Sequence, residues 1–276
     1  MALTVNTNVS AIQAGNQLNK NSKALGNSFR KLSSGLRIGK AADDAAGLAV
    51  AENLEATSRS ASVAMRNTND GISLLSTAEG ATQEVGNILK RMRELAVQSS
   101  SETLDDDERA YIQDEFTELT SEVDRLADVT EFNGVQLTDG ALTAGVDVQV
   151  GTDGTADSRI NIELGDITAS TLGVDTGSVD LSTASTAQTA IATIDTAIDA
   201  VSGYRSKYGA VENRLNSALN NLEVYSTNLQ AAESNIRDAD FDYETAEMSK
   251  NQIMQQASTA VLAQAKGMTG AAVQLI

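Results

Sequence analysis

From Ile191 to Ile236 apolar residues recur at alternating steps of three and four. They are Ile191, Ile194, Ile198 and Val201, then Tyr208, Val211, Leu215, Ala218, Leu222, Tyr225, Leu229, Ala232 and Ile236. Sustained over about six heptads, that spacing is a coiled-coil seam, so a long helix must lie against other helices. Aromatics make up only 3% of the chain, and much of its 41% apolar content is alanine. Such a composition suits long helices packed side by side better than one thick core.

The same period appears elsewhere. Leu25, Phe29, Leu32 and Leu36 step by four, three and four near the start. From Asp43 a second pattern runs through Leu48, Leu54, Met65, Ile72 and Leu75, and resumes after a phase shift at Val85, Ile88, Met92 and Leu95. Thr103 with Asp106, and the acids Asp105 to Glu108, predict a helix N-terminus, where carboxylates meet the positive dipole end. Ile112, Phe116, Leu119, Val123 and Leu126 continue that helix. The last one, roughly 242–275, carries Ile253, Val261, Met268 and Leu275 among alanines. Only the middle departs from helix. "FNG" and "TDG" are turn chemistry. Val146, Val148 and Val150 alternate with polar residues, as do Ile160 and Ile162 with Leu164 beyond "GTDG", which predicts a β-hairpin.

The fold class read from these patterns is mainly α, with long antiparallel helices in coiled-coil core domains and a small β-hairpin region between them. Five segments follow: 1–42, a helix and linker; 43–140, two long helices; 141–184, the hairpin region; 185–239, a long helix; and 240–276, a terminal helix. Terminal helices with small-residue stripes bury little area as a single pair, so subunit association is expected.

Chemistry is restricted by what is missing. Without cysteine there is no disulfide framework or thiolate zinc site, and without histidine the commonest general base and metal ligand are gone. No catalytic residue, cofactor site or metal site is assigned. The formal charge of −18 argues against nucleic acid. No run approaches the length of a membrane span, and no basic-then-apolar signal sequence opens the chain. Charge is nevertheless segregated. Residues 1–42 hold Lys20, Lys23, Arg30, Lys31, Arg37 and Lys40 with no acid, whereas 101–200 hold twenty-two acids against Arg109, Arg125 and Arg159.

Gly35-Leu-Arg-Ile-Gly39-Lys40 comes near a phosphate loop, but it is one residue short and has Ala41 where a hydroxyl should bind Mg²⁺. A linker between two helices, with Asp43 or Asp44 capping the second, is the better reading. Asp105–Glu108 read as helix-start electrostatics rather than a cation site. Asp147, Asp153 and Asp157 read as solvated turn residues.

Several segments resemble one family. "LSSGLRIGKAADDAAGLAVAENL", "RMRELAVQSS", "YIQDEF", "FNGVQL", "YGAVENRLNSALNNL" and "MSKNQIMQQASTAVLAQA" are similar, in order, to successive parts of bacterial flagellin. The resemblance covers nearly the whole chain and implies a core-only form without large variable outer domains.

It implies a structural subunit, not an enzyme, that polymerises with itself into the flagellar filament for swimming motility. A hook–filament junction protein with flagellin-like termini is the alternative. The terminal segments would form the inner, channel-lining domain and the middle the outer core domain. Export would run unfolded through the flagellar type III apparatus to an extracellular flagellum; sheathed and periplasmic filaments fit the same residues. Further partners would be an export chaperone at the C-terminal region, the cap and hook-associated proteins, and the host receptor TLR5. Carried over by motif, the receptor-facing surface would be Arg91, Leu95 and Glu115, with Lys90 departing from the usual glutamine. Leu25, Phe29, Leu32, Leu36, Ile253, Val261, Met268 and Leu275 are expected to serve helix packing and assembly.

Overall fold

The computed structural model describes residues 7–273, and side chains as far as residue 267. Six helices and two hairpins follow in order: α1 (Val9–Ser34), α2 (Ala45–Ser99), α3 (Asp106–Val129), β1 (Glu131–Phe132), β2 (Val135–Gln136), β3 (Val146–Gln149), β4 (Arg159–Ile162), α4 (Ala169–Leu172), α5 (Ala184–Arg237) and α6 (Phe241–Val273). The phase shift expected before Val85 does not interrupt α2, which runs unbroken for 55 residues. Among the described residues no helix is long and apolar enough to cross a membrane.

The chain forms two compact units, residues 59–226 and residues 1–58 with 227–276. Their division falls inside α2 and α5 rather than at a linker.

In the 59–226 unit, the core joins three helices. Val85, Leu89, Met92, Leu95 and Ala96 of α2 meet Ile112, Phe116, Val123 and Ala127 of α3 and Ala187, Ala190, Ile194, Ala197 and Val201 of α5. Phe116 is fully buried at the centre. The start of α3 is capped by Asp105, two residues later than the Thr103 and Asp106 pair that the sequence suggested. Asp105 Oδ1 accepts from Glu108 N at 2.7 Å, while Asp105 N donates to Glu108 Oε2 at 3.2 Å. Both partners are acidic and both satisfy otherwise orphaned amides, so the dipole favours this box over a threonine.

Two hairpins follow α3. Asn133 and Gly134, both at positive φ, turn β1 into β2, with Phe132 opposite Val135. Glu131–Gln136 is a pairing that the "FNG" turn announces without showing its strands. The expected larger hairpin is β3–β4, antiparallel, with Val146 opposite Ile162 and Val148 opposite Ile160. Its apolar face, with Val150 and Leu164, lies in a second core cluster with Leu75 of α2 and Tyr208 and Leu215 of α5.

Two tyrosines of α5 fix the exit from β4. Gly165 N donates to the buried Tyr208 hydroxyl at 2.9 Å. A methyl group on Gly165 would lie 2.5 Å from the Tyr204 ring, so only glycine fits. Burial pushes the Tyr208 phenol above its ordinary pKa, although the amide bond opposes the shift. Tyr208→Phe leaves a buried amide without a partner and is expected to cost about 1–3 kcal/mol, read as a lower urea midpoint.

Asp166 holds the next turn. Burial pushes its carboxyl up, but donation from Thr171 Oγ1, Thr168 N and Thr168 Oγ1 outweighs it and holds the pKa below the ordinary value. A depressed folded pKa gives stability that is complete above the unfolded value and lost as pH falls through the folded one. Asp166→Asn should therefore flatten the acid limb of a stability–pH profile and leave the alkaline limb unchanged.

Candidate interaction surface

The unit of residues 1–58 and 227–276 contains the segment that the sequence reads as a linker rather than a phosphate loop. Helix α1 ends at Gly35 in the left-handed conformation, φ 71°, which glycine enters without a Cβ penalty. The chain then straps the end of α5. Leu36 bridges Asp238, Arg37 N donates to Arg237 O at 2.7 Å, and Ala239 N donates to Gly35 O at 2.9 Å. The Arg37 guanidinium donates to Asn235 O at 3.1 Å and Ile236 O at 2.5 Å. Those carbonyls belong to the last turn of α5, where no intrahelical amide can reach them and a cation suits the dipole.

The two carboxylates divide the work beyond the strap. Asp43 Oδ2 accepts from Gly39 N and Lys40 N, each at 3.2 Å. Asp44 Oδ1 caps α2 by accepting from Ala46 N at 3.1 Å and Gly47 N at 3.0 Å. The amides that a phosphate would need are thus engaged by the chain's own carboxylate. A neighbouring cavity of about 420 Å³ is lined by Arg30, Lys31 and Arg37 with Asp43 and Asp44. Arg30 donates to Asn27 Oδ1 at 2.7 Å and Lys31 pairs with Glu244 at 2.8 Å, so these cations serve internal partners. Asp44→Ala should cost about 0.5–2 kcal/mol and speed amide exchange at 46 and 47.

Helices α1 and α6 pack antiparallel along a seam that is mostly small or polar. Asn8 Nδ2 donates to Ala265 O at 2.9 Å, Asn21 Nδ2 to Ser258 Oγ at 2.9 Å, and Lys31 Nζ to Glu244 Oε1 at 2.8 Å. The buried members of α1 are Ala14, Asn21 and Ser28; those of α6 are Glu244, Ser258 and Ala265. Leu25, Leu32 and Leu36 are half-buried. Phe29, Ile253 and Val261 are exposed, Phe29 and Ile253 each by 66%. Met268 and Leu275 lie outside the described side chains. Val9, Ile12, Phe241, Tyr243 and Met254 are exposed as well. Single exposed apolar residues are ordinary, but eight on one helix pair mark an interaction surface.

The sequence pointed to apolar residues for both tasks, packing within the pair and contact beyond it. The structure separates them, because the residues of α6 at seam spacing are Glu244, Met248, Asn251, Gln255, Ser258, Leu262 and Ala265. A search for apolar periodicity passes over a row of that kind.

In the 59–226 unit, Arg91 and Glu115 lie together on the surface. Arg91 Nε donates to Glu115 Oε1 at 2.9 Å, and Glu94 lies 3.1 Å from the same guanidinium. These bonds raise the already high pKa of Arg91. Leu95 does not join them. It is 1% exposed and packs in the three-helix core, so of the three residues expected together on one surface only Arg91 and Glu115 lie there. Leu95 lies one turn beyond Arg91, nearly on the same face of α2, but it packs with residues of α3 and α5.

Arg109 is the structural residue that sequence reasoning missed. It is buried, and its guanidinium donates to Ser99 O at 3.2 Å, Ser101 O at 2.9 Å and Leu104 O at 2.6 Å, tying the α2–α3 turn together. A signal was present, since a cation in the first turns of a helix opposes the dipole and needs another reason to be there.

The family model described as bacterial flagellin N-terminal helical region matches residues 5–143, and that described as bacterial flagellin C-terminal helical region matches residues 191–276. The chain is 44% identical to a flagellin of Halalkalibacterium halodurans, across 99% of this chain and all of that one. It is 40% identical to a flagellin of Bacillus subtilis, across 99% and 100%. A Salmonella typhimurium flagellin matches at 45% over 182 residues, which are 65% of this chain but 35% of that longer protein. Among solved structures, the crystal structure of Bacillus cereus flagellin is similar with a TM-score of 0.50 and 33% identity, covering 61% of this chain and 94% of that one.

Proposed function

This chain belongs to the bacterial flagellin family, and from that membership we infer that it is the structural subunit of a flagellar filament, assembled from copies of itself to serve swimming motility. It is a core-only flagellin, spanning relatives of its own length and about a third of the long Salmonella protein. The observation that supports the reading best is the α1–α6 pair, whose seam mixes small and polar residues with half-buried leucines and which leaves Phe29, Ile253 and Val261 exposed. Copies packed side by side bury those side chains, and a contact whose rotation does not close propagates as an open helix.

The terminal segments 1–42 and 240–276 form the inner, channel-lining domain, and 43–239 the outer core domain. The subunit acts structurally and not as an enzyme. It leaves the cell unfolded through the flagellar type III apparatus and works in an extracellular filament. A chain without cysteine or proline threads without crosslinks or slow isomerisation. The C-terminal region binds an export chaperone, the cap and hook-associated proteins bound the growing filament, and host TLR5 reads the face around Arg91 and Glu115.

Induced assembly of the purified chain, followed by electron microscopy, tests the central claim: micrometre filaments are expected, and a small oligomer under every precipitant condition would refute it. Hydrogen exchange supplies a second readout. Amides of α1 and α6 should exchange quickly in monomers and slowly in filaments, because neighbours cover the apolar faces only after assembly. Strong protection in the monomer would contradict that account.

A further inference from the structure

We propose that the polar contacts Asn21–Ser258 and Lys31–Glu244 determine the register and the pairing partner of α1 and α6, a specificity that rests on the filament reading above. Asn21 is 7% exposed, Ser258 8% and Glu244 4%. Asn21 Nδ2 reaches both Ser258 Oγ, at 2.9 Å, and Met254 O, at 3.3 Å, while its Oδ1 accepts from Gln17 Nε2 at 3.3 Å. Lys31 closes on Glu244 ten residues further along α1.

Small and aliphatic residues fill the rest of the α1 row: Ala11, Ala14, Leu18, Leu25, Ser28 and Leu32. Alanine, leucine and serine repeated at heptad spacing discriminate poorly between one register and the next, since each slip presents a similar surface. Buried polar groups do discriminate. A slip of one heptad breaks the Asn21–Ser258 bond, setting Asn21 against Ala265 or Asn251, and leaves the buried Glu244 without its ammonium. A polar residue at a seam position fixes register in coiled coils by this means.

Charge selects the partner as well. Helix α1 carries Lys20, Lys23, Arg30 and Lys31 and no acid, whereas the start of α6 carries Asp242, Glu244 and Glu247. Pairing α1 with α1 of a second copy would set cations against cations. Pairing α1 with α6 sets Lys31 against Glu244, so the repulsive alternative specifies the unlike pair. The apolar side chains are thereby left on the outer faces for neighbouring subunits.

The absence of cysteine permits clean spin labelling at the exposed positions Gln13 and Ala263, each replaced by cysteine in the full chain. Labelled subunits diluted into unlabelled filaments should give one narrow distance by pulsed electron resonance. In Asn21→Leu/Ser258→Leu filaments the distribution should spread or shift on the scale of a heptad slip, about 10 Å. The exchanged variant Asn21→Ser/Ser258→Asn should restore the narrow distance, because it keeps the donor and acceptor in opposite hands. Loss of assembly in the apolar variant that the exchange rescues supports the proposal equally. An unchanged distance in the apolar variant, or failure of both variants, would overturn it. Unlabelled wild-type chain that forms no filaments would overturn the filament reading instead, which microscopy decides before any label is introduced.

Discussion

Leu95→Ala is expected to destabilise the 59–226 unit by about 2–5 kcal/mol, the range for truncating a buried leucine where the core relaxes only in part. Leu95 is 1% exposed and packs among residues of α2, α3 and α5. Its neighbour Arg91, one turn earlier, pairs with Glu115 and Glu94 through side chains that are about half exposed. Arg91→Ala should cost little stability, since surface ion pairs contribute little. Urea unfolding separates the two: the midpoint falls for Leu95→Ala at constant slope and barely moves for Arg91→Ala. Receptor signalling then becomes interpretable. On the proposed receptor reading, Arg91→Ala should weaken recognition without unfolding, whereas any loss in Leu95→Ala should follow the unfolded fraction. A Leu95→Ala protein with a wild-type midpoint and lost signalling would show that Leu95 is a contact residue and that its burial gives way in the complex.

Much of the fold was legible because its elements are long and periodic. Six heptads between Ile191 and Ile236 left little room for anything but α5, and the alternation of Val146, Val148, Ile160 and Ile162 matched the register found in β3–β4. The strap was half legible. Two aspartates after glycines announce a cap, but only the backbone geometry assigns Asp44 to α2 and Asp43 to the Gly39 and Lys40 amides. The α1–α6 seam was only partly legible, through Leu25 and Leu32, for a physical reason. Periodicity reveals apolar side chains but not which of them face the partner helix, as Leu25 and Leu32 do, and which face outward, as Phe29 does. Asn21, Ser258 and Glu244 sit inside the pair because each finds a partner there. Pairing of that kind is a matter of geometry and leaves no trace in hydropathy. Leu95 illustrates the converse. A motif carried over from a family transfers residue identity, while burial is set by whichever helices cover the position.

A variant carrying Phe29→Ser, Ile253→Ser and Val261→Ser is expected to lose assembly while the 59–226 unit keeps its stability. All three side chains are more than half exposed and lie outside that unit. Burying a large apolar side chain completely contributes about 1.5–3 kcal/mol, so three per subunit represent at least about 4 kcal/mol of contact energy. Each 1.4 kcal/mol is a factor of about ten in an association constant, and the critical concentration should rise by about a thousandfold or more. At ordinary concentrations no filament forms. The same substitutions spare the seam, because Asn21, Ser258 and the Lys31–Glu244 pair are untouched. They also remove exposed apolar surface from the monomer, so its solubility should improve rather than fall. Sedimentation across a concentration series measures the critical value, and circular dichroism during urea unfolding follows the other unit. Filaments forming at the wild-type critical concentration would mean that these side chains are not the surface that neighbouring copies cover. A fall in the urea midpoint of the 59–226 unit would mean that the variant acts through folding. Loss of assembly with an unchanged midpoint places the driving force for polymerisation on the outward apolar faces, with the polar seam contributing specificity rather than strength.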